Sequence, residues 1–174
     1  MYLITAYFDE KANQRINSLI HKIADQTGNL FMTENHVPPH LTISSVEARS
    51  EDVLLPVVNE MEHRLKKGRI QLVSVGMLFP YVMYITPVLN QYLQSLSQTV
   101  YDAVCDIEDT SVSKFYRPMQ WLPHVTVGKK LTKEEMQTAF SIVQNGFVPF
   151  EAEVVEIGLS KTNPHRDLLR IVCH

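Results

Sequence analysis

The chain reads as an α+β fold assembled from two similar units, and three echoes in the sequence predict it. Pro39-His40-Leu41-Thr42-Ile43 returns as Pro123-His124-Val125-Thr126-Val127, 84 residues later. Tyr2-Leu3-Ile4-Thr5 resembles Met83-Tyr84-Ile85-Thr86, and Val73-Ser74-Val75-Gly76 resembles Val155-Glu156-Ile157-Gly158, at offsets of 81 and 82. Three matches in one order at nearly one spacing indicate a duplicated unit of about 80 residues. Two copies are too few for a solenoid, so a paired, pseudo-symmetric arrangement is expected. No linker, low-complexity tract or charge block divides the chain. Residues 1–174 are therefore expected to form one domain whose sequence halves run about 1–81 and 82–174.

Hydrophobic periodicity and end signals give the elements in order. A strand near 2–8 opens the first unit. A helix near 10–26 follows, with Ile16, Leu19, Ile20 and Ile23 on one stripe and Gly28 beyond its end. The His40 strand precedes a helix near 51–67, striped by Leu54, Val58, Met61 and Leu65 and stopped by Gly68; residues 69–79 then read as a strand. The second unit repeats this order. A strand near 82–87 leads to a helix near 89–106 striped by Leu89, Leu93, Leu96 and Val100, then to the His124 strand and a helix near 133–145. That helix has the clearest start in the chain, a Thr132/Glu135 capping box with Leu131 and Met136 at the hydrophobic-staple positions. Strands near 149–160 and 167–173 follow. The loop 107–121 is longer than its counterpart 28–37 and carries Phe115, Tyr116, Arg117 and Trp121. A long loop beside a duplicated core is expected to recognise substrate.

Composition narrows the function. At 174 residues, 45% hydrophobic and 20% charged, the chain has the profile of an ordinary globular domain. A formal charge of −3 argues against a broad groove for long nucleic acid but permits a small phosphate ligand or an RNA end. Cys105 and Cys173 show neither metal-type nor disulfide-framework spacing. The N-terminus has no basic segment, its apolar run stops at Asp9-Glu10, and no stretch approaches the ~20 apolar residues of a membrane helix. A cytoplasmic, non-membrane monomer is expected.

The motif supplies the chemistry. His and Thr at i and i+2 of a strand share a face while the aliphatic residues point the other way. Two such strands side by side would surround one small anion with two imidazoles and two hydroxyls. Chance alone supplies about 0.4 bare His-x-Thr triplets here. Two copies sharing a preceding Pro and both aliphatic positions therefore outweigh the alternative of two structural histidines on half-buried strands. An imidazole titrates near pH 6.5, so one His can accept a proton while the other donates one. The Thr42 and Thr126 hydroxyls can hold the non-bridging phosphate oxygens. This scheme requires no metal and no other cofactor, and neither a carboxylate cluster nor a His-Glu-x-x-His pattern supports one.

On these residues the sequence resembles the 2H phosphoesterase superfamily, which includes the bacterial 2′-5′ RNA ligase-like proteins. That family is named for two His-x-Thr/Ser-hydrophobic motifs, one per half, and both are intact at His40–Ile43 and His124–Val127. The resemblance implies a bilobal α+β fold, with two antiparallel sheets facing a central cleft, helices packed outside, and lobes that exchange a strand. It also implies metal-independent cleavage or formation of 2′-linked phosphoesters, commonly opening a 2′,3′-cyclic phosphate to a 2′-phosphate. The expected ligand is then a small nucleotide or an RNA end bearing a cyclic phosphate, and His40, Thr42, His124 and Thr126 are the catalytic residues. We expect His124 to act as base toward water and His40 as acid toward the leaving 3′ oxygen.

Four further residues are candidate substrate contacts, each with a structural alternative. Trp121 either forms a rim that stacks a base or anchors its loop on the core. Tyr7 and Tyr84 either stack a base or pack. Lys129 either meets phosphate or lies in a solvated turn. The remaining histidines, His165 among them, are expected at the surface. Two other functions compete: a 2′-5′ RNA ligase using the same site, and a non-catalytic phosphate- or RNA-binding module, which retention of both His and both Thr disfavours.

Overall fold

Apolar stripes that cannot be buried alone decide how the elements assemble. In the computed structural model, which describes residues 1–162 and 165–174, they occur in the order β1 (Tyr2–Phe8), α1 (Glu10–Thr27), α2 (Phe31–Glu34), β2 (His40–Glu47), α3 (Leu55–Glu60), β3 (Gly68–Leu78), β4 (Val82–Pro87), α4 (Gln91–Val104), β5 (Ser111–Val112), β6 (Val125–Lys129), α5 (Lys133–Gly146), β7 (Phe150–Lys161) and β8 (Arg166–Val172). The three long helices, α1, α4 and α5, begin where a side chain satisfies a free backbone N–H. Asp9 accepts from the Ala12 N–H, Asn90 from Leu93, and Thr132 from Glu135, whose carboxylate returns a bond to the Thr132 N–H. Gly28, at φ 75°, closes α1 in the left-handed conformation that glycine adopts without strain.

One predicted helix is broken. Residues 51–67 form a 3₁₀ turn at Glu51–Val53, the short α3, and a second 3₁₀ turn at Met61–Arg64. Pro56 explains the break: without an N–H it cannot bond the preceding turn, and it is tolerated only in the first turn of a helix. The stripe itself survives, because Leu54, Val58, Met61 and Leu65 are all buried.

The two expected sheets are two arms of one antiparallel, eight-stranded network, ordered β5-β2-β1-β7-β3-β4-β6 with β8 on the other side of β7. β7 is the hinge of this arrangement. Its first residues, 150–154, pair with β3, and the remainder pairs with β1 and β8. The arms do not coincide with the sequence halves, since β3 joins the strands of the second half while β7 and β8 join those of the first. The helices cross over as well. α1, from the first half, packs against β6 and α5, whereas α4, from the second half, packs against β2 and β3. Ile16, Ile20 and Ile23 of α1 and Leu93, Leu96 and Val100 of α4 complete one core with Ile4, Leu41, Ile43, Val125 and Val127 of the sheet.

Because the capping box holds the first turn of α5, Thr132→Ala should lower stability by about 1 kcal/mol. A urea or thermal unfolding curve measures this, and an unchanged midpoint would show that packing of α5 alone fixes its start.

Candidate active site

Both motifs share a local design. In each, Pro precedes the histidine and holds the chain in an extended turn. The His40 Nδ1 lies 2.9 Å from the Pro38 carbonyl, and the His124 Nδ1 lies 2.9 Å from the Leu122 carbonyl. A carbonyl only accepts, so each Nδ1 carries the proton and donates it. Each Nε2 is thereby the nitrogen left for chemistry, able to accept when the ring is neutral and to donate when it is charged.

Register places the motif side chains on one face. Across β1 and β2, Tyr7 opposes His40 and Thr5 opposes Thr42; across β4 and β6, Tyr84 opposes Thr126. Directly opposed residues of an antiparallel pair point to the same side. Each ladder skips one motif residue, Ile43 in β2 and Val127 in β6, so a bulge falls at the same motif position in both arms. These bulges also correct one expectation. Relative to them, Thr5 corresponds to Tyr84 rather than Thr86, so the first-strand echo lies two residues out of structural register. A two-residue slip keeps every side chain on its face, which is why the echo remained visible. The other echo is in register: Gly158 opposes Thr5, and Gly76 opposes Tyr84.

The two motif strands, β2 and β6, come into contact with each other. What brings them together is the connection from α4. Val112 pairs with Val46, the Ser113 N–H donates to the Ser45 carbonyl at 2.9 Å, and the Trp121 indole N–H donates to the Thr42 carbonyl at 3.0 Å. The loop thus runs down the outer edge of β2 toward His40 before delivering Pro123 and His124. Trp121 is only 8% exposed and belongs to the core. It is the anchor of its loop, with little surface left to stack a base.

Tyr7 and Tyr84 resolve the same way. They are 3% and 8% exposed, and each lies over a glycine of the adjacent strand. A Cβ on Gly158 would meet Tyr7 at 2.7 Å, and one on Gly76 would collide with the Tyr84 ring and hydroxyl. Each tyrosine also borders its own arm's histidine, with ring centroids 6.3 Å apart for Tyr7–His40 and 5.2 Å for Tyr84–His124. Both are packing residues that wall the imidazoles. Lys129 opposes Val82, two positions from the Tyr84–Thr126 pair, and its Nζ sits 5.7 Å above the Phe31 ring.

Burial lowers the His40 pKa from its ordinary value of 6.5; the Pro38 carbonyl acts in the opposite sense, and the positive charges of His165, His124 and Lys129 lower it further. All three of these groups therefore lie within electrostatic reach of His40.

The model of the 2′-5′ RNA ligase superfamily matches residues 8–166. The chain belongs to the 2′-5′ RNA ligase superfamily. Solved structures share its fold at low identity. A crystal structure of a phosphoesterase aligns at 13% identity and TM-score 0.61, covering 99% of this chain and 97% of that one. Escherichia coli LigT, complexed with 3′-AMP, aligns at 14% and 0.63, with 99% and 97% covered. A Thermus thermophilus protein aligns at 15% and 0.59, with 98% and 96% covered. No curated protein matches the sequence.

This superfamily member carries a charged cluster beside the His40 arm that periodicity did not reveal. Arg170 on β8 stacks over the Tyr7 ring, with Cζ 3.7 Å from its centroid. Its Nε and Nη2 donate to Asp167 at 3.2 and 2.8 Å, and its Nη1 donates to Glu156 at 3.2 Å. His165 Nε2 lies 3.2 Å from the same Asp167. His165 is exposed, as expected, yet it stands in this network beside the His40 arm. No local signal identifies these residues, because β8 meets β1 only through β7.

Trp121→Phe removes the indole donor and leaves the Thr42 carbonyl without it. The variant should lose about 1–3 kcal/mol of stability in urea unfolding. A loss confined to a few tenths would mean the loop is held by its apolar contacts alone.

Proposed function

We propose that the protein is a metal-independent phosphoesterase that opens 2′,3′-cyclic phosphates at RNA ends or on small nucleotides. The observation that carries this reading is the pair of Pro-His-x-Thr turns. Both histidines are held in one tautomer with Nε2 free, and their strands touch. The nucleotide complexes of Escherichia coli LigT, with 3′-AMP, NADP+ and ATP, support a nucleotide ligand.

The lowered pKa of His40 supports the opposite assignment of roles from the one expected from sequence. A lowered pKa keeps His40 neutral near neutral pH, which is the form that accepts a proton. His40 Nε2 then takes the proton of the attacking water as its oxygen bonds to phosphorus. The bond from phosphorus to O3′ breaks, and protonated His124 gives its Nε2 proton to that oxygen, leaving a 2′-phosphate. Thr42 and Thr126 donate hydroxyl hydrogens to the non-bridging oxygens, and Lys129 adds positive charge nearby. Ligation is this site run backwards, with an RNA hydroxyl attacking. Membership of the 2′-5′ RNA ligase superfamily makes it the second reading, and joining of cleaved RNA halves with a 2′,3′-cyclic end separates the two.

Hydrolysis of a nucleoside 2′,3′-cyclic phosphate panel should persist in EDTA and fall at least about 100-fold in both His40→Ala and His124→Ala. Loss of turnover on chelation would contradict the metal-independent scheme. Since the base must be neutral, kcat/KM should decline as pH falls, with the acid limb centred below 6.5. An acid limb above 6.5 would return the base role to another group.

A further inference from the structure

Arg170 is an arginine whose edges are occupied and whose charge is opposed, yet which stays partly open. Its side chain is 34% exposed. Tyr7 covers one face of the guanidinium, and three N–H groups along its edge are bonded to Asp167 and Glu156. Among the described residues, these ion pairs and the tyrosine take up the edge and one face, so we take the opposite face as the open one. Register explains why the stack forms at all. Arg170 opposes Gly158, which has no side chain, and the Tyr7 ring leans over that gap from β1. Gly158, Tyr7 and Arg170 thus form three layers on the face of the arm that carries His40, one tyrosine ring removed from it.

From this geometry we infer that the outward face of Arg170 is the platform on which the substrate's nucleobase stacks while the phosphate lies against His40. Bases stack on guanidinium planes as they do on aromatic rings. A phosphate is the poorer occupant, because two carboxylates, Asp167 and Glu156, already neutralise the guanidinium and would repel a second anion. The same carboxylates hold the guanidinium in place over Tyr7, so little side-chain freedom is lost when a ring settles on it. Neither candidate tyrosine can serve instead, since Tyr7 has one face on glycine and the other under Arg170, and Tyr84 is buried over Gly76. The His124 arm has lysines, Lys129 and Lys130, beside Phe31 rather than a paired arginine. The site is thereby polarised, with the base toward β8 and the phosphate between the motifs.

This inference rests on the proposed reading of the site as one for nucleotides with a cyclic phosphate, and the test separates the two. The kcat/KM for adenosine 2′,3′-cyclic phosphate is compared with that for methyl riboside 2,3-cyclic phosphate, which has no base, in the wild type and in Arg170→Lys and Arg170→Gln. The wild type should favour the adenosine compound, and both variants should lose about ten-fold of that preference. Lysine keeps the charge and its carboxylate partners but not the plane, so a preference that survives in Arg170→Lys overturns the platform. If the wild type turns over neither compound, the catalytic reading fails by itself. Titration with 3′-AMP and with inorganic phosphate then tests the platform alone. Weaker 3′-AMP binding with unchanged phosphate binding in Arg170→Lys upholds it, while an equal change in both, no change, or no 3′-AMP binding by the wild type overturns it.

Discussion

The site depends on the free edge of β2. A strand edge presents N–H and C=O groups that must find partners when buried. Here they find them in the connection leaving α4, which pairs at Val112, bonds again at Ser113, and ends with the Trp121 indole on the Thr42 carbonyl. Satisfying that edge fixes where the connection can go, and it leads the chain to Pro123 and His124. The segment expected to recognise substrate also joins the two motifs.

Exchange between the halves makes the join rigid. The first-half helix α1 lies against the second-motif strand, and the second-half helix α4 lies against the first-motif strand. β7 pairs with strands of both arms along different parts of its length. Neither half can bury its own apolar face without the other, so the two histidines are held by one shared core rather than by a contact between independent lobes.

Within that near-symmetric frame the arms differ in their electrostatics. Each has a tyrosine over a glycine beside its histidine. Only the His40 arm adds the Arg170, Asp167 and Glu156 network, and His40 itself is desolvated enough to favour its neutral form. The two arms thus repeat one imidazole-and-hydroxyl design in unlike surroundings.

What could be read from the residues alone is what backbone geometry determines locally. The i, i+2 spacing put His40 with Thr42 and His124 with Thr126 on single faces, the helical stripes named buried side chains except Leu89, which lies exposed ahead of α4, and Thr132 with Glu135 marked the start of α5. Pro56 carried the signal that breaks the helix near 51–67, although the apolar stripe through it masked that signal. Other features depend on register between segments far apart in sequence, which no local period encodes. The bulges at Ile43 and Val127 shifted the first-strand echo by two residues, packing rather than composition buried Trp121, Tyr7 and Tyr84, and β7 alone brought Arg170 and His165 to the arm that holds His40. Side-chain chemistry was written in the sequence; which side chains meet was decided by hydrogen-bond registers and burial that exist only once the chain has closed on itself.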